Sequence, residues 1–381
     1  MKLIYIANAR IPTEKAHGIQ IMKMCDVFSH LKLKTQNVKL EVELVVPRRM
    51  NWIKENPFQY YGVPESFKIK KLPCLDLIPL YKYIGHLGLW IESITFFFFV
   101  FQYIIFKKAD IFYTRDKFFL PFSLLKKNII FESHTFPKNY FLYSSFLKKL
   151  KWIVVITQKL KDLLIEQGIS PDRILVAPDG VDLETFDIRE TKEECRRRLN
   201  LSKDKKIILY TGHLYEWKGA QILAEASQYL PDDKAVYFVG GIKEDISRFK
   251  AQYSKFQIHI IGHKPYTEIP YWLKAADVLV LPNSGKKEIS QYWTSPMKMF
   301  EYMASKRPIV ASDLPSIREI LNEENAVLVK SDDPEALVGG IKEILQSPEF
   351  SAKLSTKAFS DVQNYTWRKR AEKICIFSKI V

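Results

Sequence analysis

Glu301 stands in the run SPMKMFEYMASKRPIVASDLPSIREIL, residues 295–321, just ahead of a small-residue turn and a short strand. An acidic side chain in that position can hold ligand hydroxyls at the end of a sheet. Met297, Phe300, Met303 and Ala304 recur at helical spacing, so residues 296–304 are predicted as a helix with one apolar face on a sheet and Glu301 beside it. Ser295 is a good N-cap and Pro296 suits the first helical position, which puts a helix N-terminus able to dock an anion at this point. Pro308–Ser312 then reads as a buried strand, followed by the turn Asp313, Leu314, Pro315 and a new helix from about Ser316. Glu301 thereby falls where parallel sheets place ligands, near the carboxyl ends of strands. The competing reading pairs Glu301 with a nearby lysine on a solvated helix face.

A second group surrounds YTGHLYEWKG, residues 210–219. A strand ends at Thr211, Gly212 permits close backbone approach, and Lys218 with Gly219 opens a helix, a pattern suited to a phosphate group. Earlier in the chain, Ala16, His17 and Gly18 precede a helix, His134 follows the strand in FESHT, and Arg115 follows the strand in YTRD. A lone glycine or histidine at such places is ordinarily structural; their weight comes from the order in which the motifs occur.

The elements needed to position these residues form two βα series. In the first, strands are expected at Leu3–Ala7, Val42–Val46, Ile111–Thr114, Ile129–Glu132, Ile153–Thr157 and Ile174–Ala177, with an amphipathic helix at Ile19–Leu31. After PDGVD, the polar passage 183–206 is taken as a connection. Strands at Ile207–Thr211, Ala235–Val239, Ile258–Ile261, Val278–Leu281 and Ile309–Ala311 make the second series. A chain of 381 residues that is 47% hydrophobic has material for two cores.

Taken in order, KLIYIANARIPTEKAHGIQIMKMCDVF, FESHT, VVITQKLKDLL, APDGVD, YTGHLYEWKG, VGG, IGHKPYTEIPYWLKAADVLVLPNS, SPMKMFEYM and YTWRKRAEKI resemble the large retaining GT-B glycosyltransferase group known as family 4, or glycosyltransferase group 1. The resemblance implies an α/β fold of two Rossmann-like domains facing across a cleft. An N-terminal acceptor domain would cover 1–182, a nucleotide-sugar domain 183–365, and a helix at 366–381 would cross back to the first domain. It implies that Glu301 binds the ribose, that Lys218 and the position of His213 meet the diphosphate near Gly212, and that Gly18 approaches a phosphate; Lys298 is the candidate to supply the charge that His213 lacks. Backbone groups at Gly262 and His263 would seat the base. His134 would support charge at the anomeric centre, and His17 and Arg115 lie on the acceptor side. His134, Lys218 and Glu301 are the expected catalytic set.

Two departures stand out. Relatives carry an arginine where this chain has His213, which lacks the fixed charge and fork of a guanidinium. They also carry a first acid where this chain has Trp293; Glu288, Gln291 or the backbone at Thr294 and Ser295 are left to contact the sugar. The family mechanism retains anomeric configuration by front-face attack and needs no metal. No DxD sequence occurs, so no metal and no cofactor is expected, the nucleotide-sugar being a substrate.

Residues 1–150 hold 23 Lys and Arg against 11 Asp and Glu, so most of the net charge of +15 lies on the first half. Residues 89–108, LWIESITFFFFVFQYIIFKK, are apolar, but Glu92 argues for a buried or interfacial helix rather than a spanning one. Lysine pairs at 70 and 71, 126 and 127, and 148 and 149 suit an anionic membrane surface. Nucleic acid is not expected as a partner, since no module for it is visible. The scattered cysteines read as buried thiols, and the short first apolar run reads as a strand rather than a signal peptide, giving a cytoplasmic expectation. The expected function is sugar transfer from a nucleotide donor to a glycan or lipid-linked acceptor in envelope polysaccharide assembly. The alternatives are a sugar-nucleotide epimerase or phosphorylase of the same fold, or a non-catalytic scaffold subunit.

Overall fold

The computed structural model describes residues 1–31, 39–136 and 139–380. It contains two compact units: Met1–Pro178 together with Trp367–Val381, and Asp179–Thr366. Each is built on one parallel sheet.

The first unit has strands β1 (Lys2–Ile6), β2 (Glu41–Pro47), β3 (Lys68–Leu72), β4 (Ile111–Thr114), β5 (Ile129–Ser133), β6 (Trp152–Val155) and β7 (Ile174–Val176) in the order β3-β2-β1-β4-β5-β6-β7. Leu3 to Ile6 and all of β4 are buried, the pattern of strands covered on both faces. The order reverses between β1 and β4, and a reversal of that kind opens a crevice at the strand ends. The helix Ala16–His30 leaves β1 at this point.

Strand β3 has no counterpart in the sequence reading. Its residues KIKKL are mostly exposed lysines, which hide the hydrophobic signal of a strand and also keep a sheet edge from pairing with another chain. The helix predicted at 89–108 spans Leu87–Phe106 and is half-sunk in this unit. Glu92 is fully buried on its inner side, where Arg49 Nη2 lies 2.7 Å from its carboxylate.

The last helix, Trp367–Phe377, belongs to the first unit and packs against Ala16–His30. Trp367, Ala371, Ile374 and Cys375 are its buried apolar residues. Arg370, buried with them, donates to Glu132 Oε1 of β5 at 2.9 Å and to the carbonyls of Ala177 and Pro178.

The second unit has β8 (Lys206–Thr211), β9 (Lys234–Val239), β10 (Ile258–Gly262), β11 (Val278–Leu281), β12 (Ile309–Ser312) and β13 (Val327–Val329), ordered β10-β9-β8-β11-β12-β13. It repeats the winding of the first sheet. The three-residue edge strand β13 is too short to have announced itself. Passage 183–206 is not a connection: helices Leu183–Phe186 and Lys192–Arg198 fold onto the second unit, burying Phe186 and Cys195 in its core. A capping box between Thr191 and Glu194 starts the second of them, and Arg196 pairs with Asp277. The break between units also comes earlier than residue 182. Asp179 N–H donates to Ser295 Oγ at 3.0 Å and Val181 N–H to the Tyr365 carbonyl at 2.9 Å, both within the second unit. The cysteines are unpaired, and Cys74, unlike the other three, is not buried.

Removing one member of a buried ion pair strands the other, which costs about 3–5 kcal/mol. Arg370→Met is therefore expected to lower the unfolding free energy of the first unit by that amount in urea titration, and Glu132→Gln added to it should recover part of the loss. A midpoint unchanged by Arg370→Met would show that the pair contributes nothing to the fold.

Candidate active site

In the second unit, the helix Met297–Ala304 is buried along its whole length. Pro296 takes the cap position, one residue later than the sequence suggested, because Ser295 Oγ is engaged by the Asp179 amide. Tyr302 ties the helix to the end of β8: its hydroxyl accepts from Thr211 N–H at 2.8 Å. That tie sets Lys298 beside Gly212. A Cβ on Gly212 would lie 3.5 Å from Lys298 Nζ.

Lys298 is 7% exposed, and its ammonium lies 3.7 Å from the centre of the Tyr210 ring, with no hydrogen-bond partner among the described residues. Burial, reinforced by the charge of Lys218, pushes its pKa far below the ordinary lysine value. Lys218 lies at the end of the turn Glu216–Lys218, with its ammonium near the rings of Trp217 and Tyr215. Loss of hydration around that ammonium lowers its pKa to about 8, with Glu301 opposing the shift. Glu301, 6% exposed, is raised by burial to about 7 against the pull of a Tyr266 hydrogen bond and of Lys298 and Lys218. Two depressed lysines and one raised carboxyl thus act on one another at one site, Lys218 half-buried and the other two buried.

Glycines shape its walls. Gly219 has φ 74°, and a Cβ there would fall 1.6 Å from the Pro282 carbonyl oxygen, so no other residue fits. The helix begins after it, at Ala220 rather than at Lys218. Gly240 packs closely on Gly212: an added Cβ on Gly240 would sit 2.5 Å from the Gly212 oxygen. Gly240 N–H in turn donates to the Gly262 carbonyl at 2.7 Å, and His263 follows, exposed. His213 stacks on Tyr215 with ring centres 5.0 Å apart. Of the residues left for a sugar contact, Glu288 is exposed and the Gln291 amide donates to the Gly285 carbonyl. A cavity of about 870 Å³, lined by Tyr215, Trp217, Asp245, Tyr253 and Lys286 among others, has none of Lys218, Lys298 and Glu301 in its walls.

In the first unit, Arg115 and His134 come together around Glu132, and His17 lies within reach of their charges. His134 Nε2 pairs with Glu132 Oε1, Gln20 Nε2 donates to the same oxygen at 2.8 Å, and Arg115 donates to Gln20 Oε1. Tyr113 and Arg370 complete the carboxylate's partners. Burial alone would raise the Glu132 pKa, but Arg370 and His134 outweigh it and hold the group well below the usual range. His17 is pushed down to about 3 by burial and by the nearby positive charge of Arg115, so it is neutral at physiological pH. Gly18 is closely packed. Its amide donates to the Lys15 carbonyl at 2.9 Å, and a Cβ would meet Tyr61 Oη at 2.1 Å, so the glycine serves packing inside the helix.

Glu132, Gln20, Arg370 and Tyr266 carried no role in the sequence reading. A carboxylate inside the apolar run IIFES, and a glutamine inside GIQIM, are the signals that point to two of them.

Residues 191–361 match the family described as glycosyl transferases group 1. The match takes in most of the second unit. Among its curated relatives, the D-inositol 3-phosphate glycosyltransferase of Xylanimonas cellulosilytica is 26% identical over 227 residues, covering 56% of this chain and 53% of the relative. The putative teichuronic acid biosynthesis glycosyltransferase TuaC of Bacillus subtilis is 29% identical over 167 residues, 44% of this chain and 40% of TuaC. The chain spans about half the length of the curated relatives it matches. HepE from Anabaena, solved in complex with UDP, superposes with a TM-score of 0.75 at 13% identity, covering all of both chains. That likeness establishes the GT-B fold.

The raised Glu301 pKa has a stability consequence with a definite sign. The fold favours the protonated acid, so this stabilisation is complete below the unfolded value of 4.5 and is lost as pH rises through about 7. Between those limits the unfolding free energy of the native chain should fall, relative to Glu301→Gln, by on the order of 3 kcal/mol. Parallel pH profiles for the two proteins would remove Glu301 as a perturbed group.

Proposed function

We propose that the chain is a retaining glycosyltransferase whose second unit holds a nucleoside diphosphate sugar. The carrying observation is Lys298: its buried ammonium has no hydrogen-bond partner among the described residues, and such a group is stabilised as a cation when an anion joins it. A diphosphate supplies that anion, with Lys218 as its second cation and Glu301 accepting from ribose hydroxyls. Support comes also from HepE, which binds UDP, and from the glycosyltransferase names of the curated relatives.

In this reading the bond between the anomeric carbon and the diphosphate oxygen breaks as an acceptor hydroxyl oxygen bonds to the same carbon. The acceptor's proton passes to the departing phosphate oxygen on the same face. Charge builds on that oxygen, and the two lysines are placed to offset it. His213 contributes at most a hydrogen bond, so Lys298 takes over much of the arginine's task. The Glu132 cluster fixes His134 and Gln20 for the sugar or acceptor. A glycan or lipid-linked acceptor of envelope polysaccharide assembly fits TuaC and the basic first half of the chain.

Calorimetry with UDP, GDP, ADP and dTDP tests the nucleotide reading. Above pH 8 the empty site holds neutral lysines, so diphosphate binding should take up protons, seen as a dependence of the binding heat on buffer ionisation enthalpy. Lys298→Ala should weaken the best ligand by about 10- to 100-fold, the loss of one charged hydrogen bond. No binding by the folded protein, or binding without proton uptake and insensitive to Lys298→Ala, would sink the proposal. For transfer itself, Lys218→Ala should lower kcat by about 100-fold or more with a smaller change in KM.

A further inference from the structure

The helix Leu87–Phe106 shows water an apolar face. Leu87, Trp90, Ile94, Phe98, Phe101 and Ile105 are all exposed, Ile94 at 60% and Phe98 at 56%. At 3.6 residues per turn these six fall within an arc of about 80°, a stripe about 27 Å long. The opposite side carries Glu92, Phe96, Val100 and Ile104, all buried in the first unit. A stripe of this kind is larger than scattered surface apolar residues require.

Two neighbouring elements extend it. The turn Lys117–Leu124 packs on this helix, with the Phe101 and Phe122 rings 5.8 Å apart, and ends in exposed Leu124 and Leu125. The helix Tyr140–Leu147 packs on that turn and exposes Phe141 and Leu142. Each apolar element is followed by a lysine pair: Lys107 and Lys108, Lys126 and Lys127, Lys148 and Lys149. Apolar surface bordered by lysines is the composition that binds an interface with anionic headgroups.

We infer that this face of the first unit docks on an anionic lipid bilayer, with the helix Leu87–Phe106 lying along the surface and its outer stripe in the acyl boundary. The helix does not cross the bilayer, because spanning would pull Glu92 away from Arg49 and into hydrocarbon. A second copy of the chain is a poorer occupant, since a symmetric contact would set lysine pairs against lysine pairs. The inference stands on surface chemistry alone and is independent of the nucleotide reading.

Co-sedimentation of the full chain, without nucleotide, with vesicles of phosphatidylcholine alone or with about 30% phosphatidylglycerol tests it. Binding to the anionic vesicles is expected, weakening as salt is raised. Ile94→Asp with Phe98→Asp, both on the exposed face, should leave the thermal midpoint unchanged and cut partitioning at least about tenfold. Lys107→Glu with Lys108→Glu should do the same at low salt while keeping the apolar stripe. Equal binding to both vesicle types, or no binding, overturns the inference. So does a dimer in light scattering that the Ile94→Asp and Phe98→Asp pair converts to monomer, which would assign the stripe to a second copy.

Discussion

Charge held away from water at the carboxyl ends of parallel strands is the constraint on which both units are organised. A sheet covered on both faces leaves its strand ends as the places where polar groups can converge, and a charge brought there must be neutralised, shared or moved off its ordinary pKa. The two units answer this differently. Glu132 is surrounded by Arg370, His134, Gln20 and Tyr113, so its charge is balanced from within the fold and its position is fixed. Lys298 is left undercompensated beside Lys218 and Glu301, and its surroundings favour loss of its proton when nothing else is present. The first arrangement suits a positioning framework; the second suits reception of an anion.

The helix Met297–Ala304 shows how backbone and side-chain constraints combine to make that reception specific. Tyr302 bonds to Thr211, Ser295 receives the Asp179 amide, and Gly240 presses against Gly212. The first contact fixes the helix against β8, the second holds the residue before its start, and the third packs the turn after β9 against the end of β8. Lys298 and Glu301, three positions apart on that helix, are therefore held by the same scaffold and are not free to relax into solvent. Burial of both is what couples their protonation to one another.

Most of this frame was legible in the sequence, because strands covered on both faces write themselves as unbroken apolar runs: LIYI, IFYT and VLVL could be little else. The edges were not. Strand β3 carries lysines at three of five positions, and β13 has three residues. The passage 183–206 looked like a linker since its charges dominate, although Phe186 and Cys195 are its anchoring residues. Lys218, Lys298, Glu301 and His134 stood in motifs and could be named in advance. Arg370 and Tyr266 could not, since their roles arise from partners distant in sequence: Arg370 meets a carboxylate 238 positions away. Gly18 has a packing reason that the sequence does not display, since only the fold brings Tyr61 against it.

The place of Arg370 also bears on the order in which the molecule is made. The second unit is one continuous stretch, residues 179–366, and all its strands are available once that stretch has left the ribosome. The first unit is discontinuous. Its sheet is synthesised first, yet the guanidinium that balances Glu132 arrives only with the final helix. During translation the N-terminal sheet therefore waits, with a carboxylate unbalanced by its arginine and a helix face uncovered, while the unit encoded after it completes itself. The first unit to be started is thus the second to have all its residues, because the last helix and Arg370 belong to it.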